Sequence, residues 1–192
     1  NAFPCARKVS GGQCYALTGV CRYHSVFGGL GGCFAVCPSD TAPALVALGA
    51  KIVTTKKTWE AKDFFGLDQK KFNGENINWI DADEVVKEIQ VPALASGAKS
   101  TYKKYAFRKA IDFPLVSAAV IVNGGKATVA LGGVYNTPKL FTDVDASDAA
   151  KAGETCFASA KAMTSGQVDN NSNAYKIQIG KTLVKRAITE LK

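Results

Sequence analysis

Apolar and polar positions divide the chain into a loop-rich start, a short mixed stretch, a β-rich centre and a helical end. Residues 1–37 show little periodicity. In SDTAPALVALGAKIVTT, Ser39 or Asp40 can cap a short helix carrying Ala44, Leu45, Val46 and Leu48; Gly49 stops it, and a strand begins over 51–54. TWEAKDFF suggests a short helix or turn. Alternating Val85, Lys87, Ile89 and Val91, stopped by Pro92, predict a strand reaching a sheet edge.

After the spacer ALASGAKS a second unit opens near Thr101. Two apolar runs, 115–122 and 126–134, flank Asn123-Gly124-Gly125, a strong signal for a tight hairpin in a meander. The alanine-rich stretch 145–163 predicts a helix, weakened by Gly153. SGQVDNNSN reads as a loop, and 174–191 as a final helix with Ile177, Val184, Ile188 and Leu191 inward.

The chain has 192 residues, 47% hydrophobic and 21% charged, enough for one ordinary domain or two small ones. No apolar run is long enough to span a membrane, and NAFPCARK lacks the features of a secretory signal, so the expected location is cytoplasmic. A chain starting with Asn and entering a cysteine loop at once reads as a processed or incompletely represented polypeptide. The net charge of +8 suits nucleic acid, an anionic cofactor or an acidic partner. Its lysine pairs, Lys56-Lys57, Lys70-Lys71 and Lys103-Lys104, are scattered without aromatic interleaving, which argues against nucleic-acid binding and for a solvated surface.

Cys5, Cys14, Cys21, Cys33 and Cys37 crowd the first segment, with only Cys156 elsewhere. Disulfides need an oxidising compartment, at odds with the absent secretory signal. The spacings C-x8-C, C-x6-C, C-x11-C and C-x3-C lack the paired C-x2-C of structural zinc. An iron–sulfur cluster needs converging thiolates, which a glycine-rich loop can wrap; unligated buried thiols are the plainer alternative, notably for Cys156. Spacing alone leaves these open.

The stretches RYHSVFGG, CFAVCPSDTAPALVALGAKIVTT, KEIQVP, YKKYAFRKAIDFPLVSAAV and ALGGVYNTP, in that order, resemble the FAD-binding subunit of molybdenum hydroxylases, the xanthine and carbon monoxide dehydrogenase family. The likeness is greatest to the anaerobic branch containing 4-hydroxybenzoyl-CoA reductase, whose flavin domain carries a loop holding a 4Fe-4S cluster. It runs from Cys5 to Lys192.

The resemblance implies an α+β chain: the C-terminal part of a flavin-binding α/β domain (1–95, with the cysteine loop at 1–37), then a small domain of β-meander plus helices (101–192). It places Cys5, Cys14 and Cys33 as cluster ligands, with a fourth before residue 1 and Cys21 or Cys37 as substitutes, Cys21 first. It places FAD contacts at Asp40, Val86 and Lys104. Asp40 can accept from ribityl or ribose hydroxyls or cap the helix; Lys104 can stabilise negative charge on a reduced ring or the pyrophosphate. Gly28, Gly29, Gly31 and Gly32 permit close backbone approach to FAD or cluster. FGGLGG is not the G-x-G-x-x-G dinucleotide fingerprint. Arg108 and Asp112 are expected to pair and fix a turn, and His24, the only histidine, to pack beside the cluster.

The family's N-terminal subdomain, which wraps the FAD pyrophosphate, has no counterpart in this sequence. The chain is therefore expected to pair with a separate polypeptide supplying it, to be truncated, or to have lost tight FAD binding. The implied role is electron transfer, with FAD exchanging electrons with a soluble donor or acceptor. The implied partners are a molybdenum-cofactor large subunit and a 2Fe-2S small subunit. Rival readings are a metal- or cluster-stabilised interaction module without flavin, and a basic nucleic-acid-binding protein.

Overall fold

The computed structural model describes residues 5, 9, 11–66, 80–165 and 171–192. Helix α1 (Thr41–Ala47) leads into strand β1 (Lys51–Thr54), then β2 (Thr58–Glu60), the one-turn α2 (Ala61–Phe64) and β3 (Val86–Gln90). Among the described residues β1 lies between β2 and β3, antiparallel to both. A second sheet follows: β4 (Lys99–Tyr105), β5 (Val116–Asn123), β6 (Lys126–Gly132) and β7 (Lys139–Asp145), an antiparallel meander in sequence order. Helices α3 (Ala149–Cys156) and α4 (Ala174–Leu191) close the chain.

Local chemistry sets these boundaries. Ser39 Oγ accepts from Ala42 N at 3.0 Å and starts α1, while Gly49 at φ 63° ends it, with Ala50 N donating to Leu45 O at 2.9 Å. Gly124 and Gly125, at φ 54° and 78°, form the two-residue turn between β5 and β6. Asp148 accepts from Ala150 N and Lys151 N at 2.9 and 3.0 Å and caps α3, which starts four residues later than the expected helix over 145–163. Asp145 instead ends strand β7, and α3 stops at Cys156. The expected loop at 165–173 lies partly outside the described residues.

The meander carries two different faces. Val116, Ala118, Val120, Val129 and Leu131 point to one side and pack with Phe157 and with Leu183, Val184, Ala187 and Ile188 of α4. Each fully buried Val or Leu there contributes about 1.5–3 kcal/mol. The other face is small: Ala119 pairs with Ala130 and Ser117 with Gly132. A Cβ on Gly132 would sit 2.5 Å from Ser117 Oγ and 2.8 Å from Pro43 Cγ, so α1 lies hard against this side. Ala119 and Ala130 share a core with Val46, Ile52, Ala61 and Phe64, so the meander is packed on both faces.

The β3 strand departs from its sequence pattern. Its alternation predicts one buried face, yet every residue of it is exposed, as are Val85, at 62%, and Val91.

Gly180 of α4 lies under the Phe157 ring, where an added Cβ would fall 1.9 Å from Cζ. Gly180→Ala is expected to lower the unfolding free energy by about 1–3 kcal/mol through overpacking, measured by urea denaturation.

Candidate functional site

The β4 register builds the first half of the site. Tyr102 pairs with Ala119 and Lys104 with Ser117, so both belong to the face that α1 covers. Asp40 immediately precedes α1. Because Ser39 makes the cap, Asp40 is free to turn to β4: Lys104 Nζ donates to its Oδ2 at 2.6 Å and Tyr102 OH to its Oδ1 at 3.1 Å. Burial pushes the Tyr102 phenol up to about 12.

Lys104 also donates to Asp112 O at 2.6 Å, which ties it to the loop joining β4 to β5. That loop is closed by Leu115 N donating to Tyr105 O at 2.8 Å. Inside it Asp112 accepts from Arg108 N at 2.9 Å and Phe113 N at 3.0 Å, and the Arg108 guanidinium lies 3.4 Å from Oδ1. The expected Arg108–Asp112 pair is thus present, and the Arg108 backbone N–H, foremost among these donors, lowers the Asp112 pKa. The loop holds Ile111 at φ 48°, a left-handed conformation costly for a β-branched residue, and 97% exposed. A cavity of about 330 Å³ opens here, lined by Lys104, Tyr105, Arg108, Lys109, Ile111 and Asp112. Phe107 and Phe113 lie exposed in the same loop.

Cations, a hydroxyl-accepting carboxylate and uncovered aromatic surface together make a donor set that fits an anionic, planar cofactor such as FAD. Lys104, Arg108 and Lys109 would meet its negative charge and Asp40 its hydroxyls. Val86 lies apart, at the start of β3 on the three-stranded sheet. In the glycine turn, Gly28 at φ 79° has open space where a Cβ would be, and Gly31 and Gly32 also have positive φ. Gly29 has a structural reason to be glycine, since its Cβ would meet Cys33 O at 2.5 Å.

The cysteine loop is held by side chains from two distant segments. Lys176, 1% exposed, donates from Nζ to Tyr23 O at 2.7 Å and Gly133 O at 2.8 Å. Asn173 Nδ2 donates to His24 O and Ser25 O at 3.1 and 3.0 Å, and Asn136 Nδ2 to Cys33 O at 3.0 Å. Asn171 accepts from Cys21 N at 2.8 Å and donates to Gly19 O at 2.6 Å. Burial, helped by the Lys176 charge, lowers the His24 pKa, and its ring meets Tyr15 edge-on at 5.2 Å.

All six cysteines are free. Cys21 is buried and its Sγ donates to Asn171 O at 3.3 Å, Cys33 Sγ accepts from Ala35 N at 3.5 Å, and burial raises the Cys37 pKa. Cys156 sits in the core, its thiol pushed up to about 12 by burial. Among the described residues no three Cys, His, Asp or Glu side chains come together as metal ligands.

No protein-family model matches the chain. It is 31% identical, over 196 aligned positions, to the aldehyde oxidoreductase FAD-binding subunit PaoB of Escherichia coli K12, a match taking in 97% of this chain and 58% of that protein. Among solved structures, a chain of carbon monoxide dehydrogenase from Hydrogenophaga pseudoflava superposes with a TM-score of 0.55 at 22% identity, covering 77% of this chain and 54% of that one. The fold is shared with carbon monoxide dehydrogenase. The enzyme from Oligotropha carboxidovorans superposes equally, at 0.55 and 18% identity, over 78% of this chain and 55% of that one. The chain therefore spans little more than half the length of the dehydrogenase chains and of PaoB.

Sequence reasoning missed Tyr102 and the clamp of Asn171, Asn173 and Lys176. The polar run DNNSNAYK carries no apolar period, and its one signal was an unusual density of asparagines.

Burial lowers the Lys176 ammonium to about 7, far below its ordinary 10.5. Below pH 7 both folded and unfolded chains hold that proton. Between about pH 7 and 10 only the unfolded chain does, so unfolding free energy should rise with pH across that window. Denaturant titrations should show this rise in the parent and its loss in Lys176→Met.

Proposed function

We propose that the chain is the FAD-binding, electron-transferring part of a molybdenum hydroxylase-type oxidoreductase. The reading is carried by the direct contact of Asp40 and Lys104, two residues 64 positions apart that the family resemblance assigns to FAD. It is supported by the 31% identity to an FAD-binding subunit along 97% of this chain.

FAD, when bound, supplies the exchange of electron pairs with a soluble donor or acceptor and of single electrons with redox centres on partner subunits. This chain supplies charge and orientation. Lys104, held between Asp40 and Asp112 O, is a fixed cation for the ring or pyrophosphate. Asp40 keeps acceptor capacity for ribityl or ribose hydroxyls. The strained loop at Ile111 presents a pre-shaped apolar edge. Gly28, Gly31 and Gly32, and Val86 from the three-stranded sheet, complete the proposed contacts. The partners are a molybdenum-cofactor large subunit and a 2Fe-2S small subunit, in the cytoplasm.

The 4Fe-4S cluster at Cys5, Cys14, Cys33 and Cys21 is a separable part of this reading. It is supported by the resemblance and not by the thiol geometry, so no electron path is drawn through it.

Titration of the full chain with FAD, followed by flavin fluorescence and visible circular dichroism, tests the assignment. The parent should bind FAD, and Lys104→Met should weaken binding about 10- to 100-fold, the loss of one or two charge-assisted contacts. A chain that takes up no FAD, or whose affinity ignores Lys104, would overturn it. Iron and sulfide assays on anaerobically purified protein decide the cluster independently, with both elements expected in a near 4:4 ratio per chain.

A further inference from the structure

Opposite the face that carries Lys104 and Tyr102, strand β4 turns Thr101 and Lys103 toward α4. Between them runs a groove of about 590 Å³ lined by Lys103, Lys104, Lys185, Arg186, Leu183 and Thr189. The one acidic residue in its wall, Glu190, is consumed locally, accepting from Thr101 Oγ1 at 2.8 Å and pairing with Lys103. Lys185 and Arg186 are exposed and pair with no carboxylate among the described residues. The groove therefore keeps an uncompensated positive field on the rim of a four-stranded sheet. Lys104 belongs to the walls of both this groove and the 330 Å³ cavity of the candidate flavin site, so the two lie on either side of one residue of β4.

From this geometry we infer that the β4–α4 groove is the docking site of an acidic, soluble protein that carries electrons to or from the flavin site. The inference rests on the flavin reading for the purpose of the encounter, but the docking itself rests on charge. Composition selects a transient visitor over a permanent subunit. Lasting interfaces are apolar at their centre, whereas this groove offers a single leucine beside two paired cations, Lys103 and Lys104, and two unpaired ones, Lys185 and Arg186. Such a surface raises encounter rates and releases its partner readily, as an electron carrier requires. A visitor in the groove lies across strand β4 from the flavin cavity and leaves Asp40 and the β4–β5 loop in place.

The test measures binding of an acidic flavodoxin to the full chain, purified with any subunits that accompany it, by surface plasmon resonance at low and high salt. Basic cytochrome c serves as the charge control. Lys185→Glu/Arg186→Glu is compared with Lys62→Glu/Lys87→Glu, an equal charge change on exposed positions of the three-stranded side. Expected are salt-sensitive binding of flavodoxin and not of cytochrome c, a loss of about tenfold or more in the groove variant, and a change of about twofold or less in the control. No flavodoxin binding, equal losses in both variants, or equal binding of cytochrome c would overturn the inference. FAD uptake is measured in the same samples and should be unchanged in the groove variant. Absence of uptake in the parent would sink the flavin reading, while the two variants still decide the docking site.

Discussion

A single buried ammonium holds the two ends of this chain together. The Lys176 Nζ bridges the carbonyl of Tyr23, in the cysteine loop, and that of Gly133, where β6 leaves the sheet. The peptide groups that this loop turns inward must be paired, and among the described residues no named strand runs beside it to pair them. The polar side chains at the start of α4 take the place of a ladder. Desolvating a lysine there is costly, which is why its proton is held so loosely, and the compensation is a loop locked to the meander with Val26 N on Val134 O at 3.0 Å.

The second constraint is steric. Alanine, serine and glycine on one face of β5 and β6 let α1 approach closely, and that approach carries Asp40 to the edge strand β4. Larger residues would lift α1 and separate the carboxylate from Lys104. The valine and leucine face does the opposite work, giving α4 a broad apolar seat. One sheet thus positions a polar contact with its small side and anchors the scaffold with its large one.

What the sequence made legible was local. Gly49 and the Asn123-Gly124-Gly125 turn demand positive φ, and both appear where expected. Strand β7 escaped notice because Asp143, at φ 57°, interrupts its alternation beside a register shift opposite Ala127 and Val129. The helix expected over 145–163 was over-extended because alanine content reports propensity and not the Asp148 cap that delays the start. The Asp40–Lys104 contact depends on the register of β4 against β5, which no local pattern encodes. Lys176 was illegible for a further reason: a lysine in an amphipathic helix reads as surface until its acceptors are known.

The exposure of β3 has a practical corollary. Val86 and Ile89, flanked by Val85 and Val91, leave apolar side chains in water on a strand that, among the described residues, has a hydrogen-bonded neighbour on one side alone. A ribbon of that kind recruits any extended backbone that meets it. Self-association of this polypeptide is expected to run through that rim, and a cover over Val86 and Ile89 would act as a solubiliser.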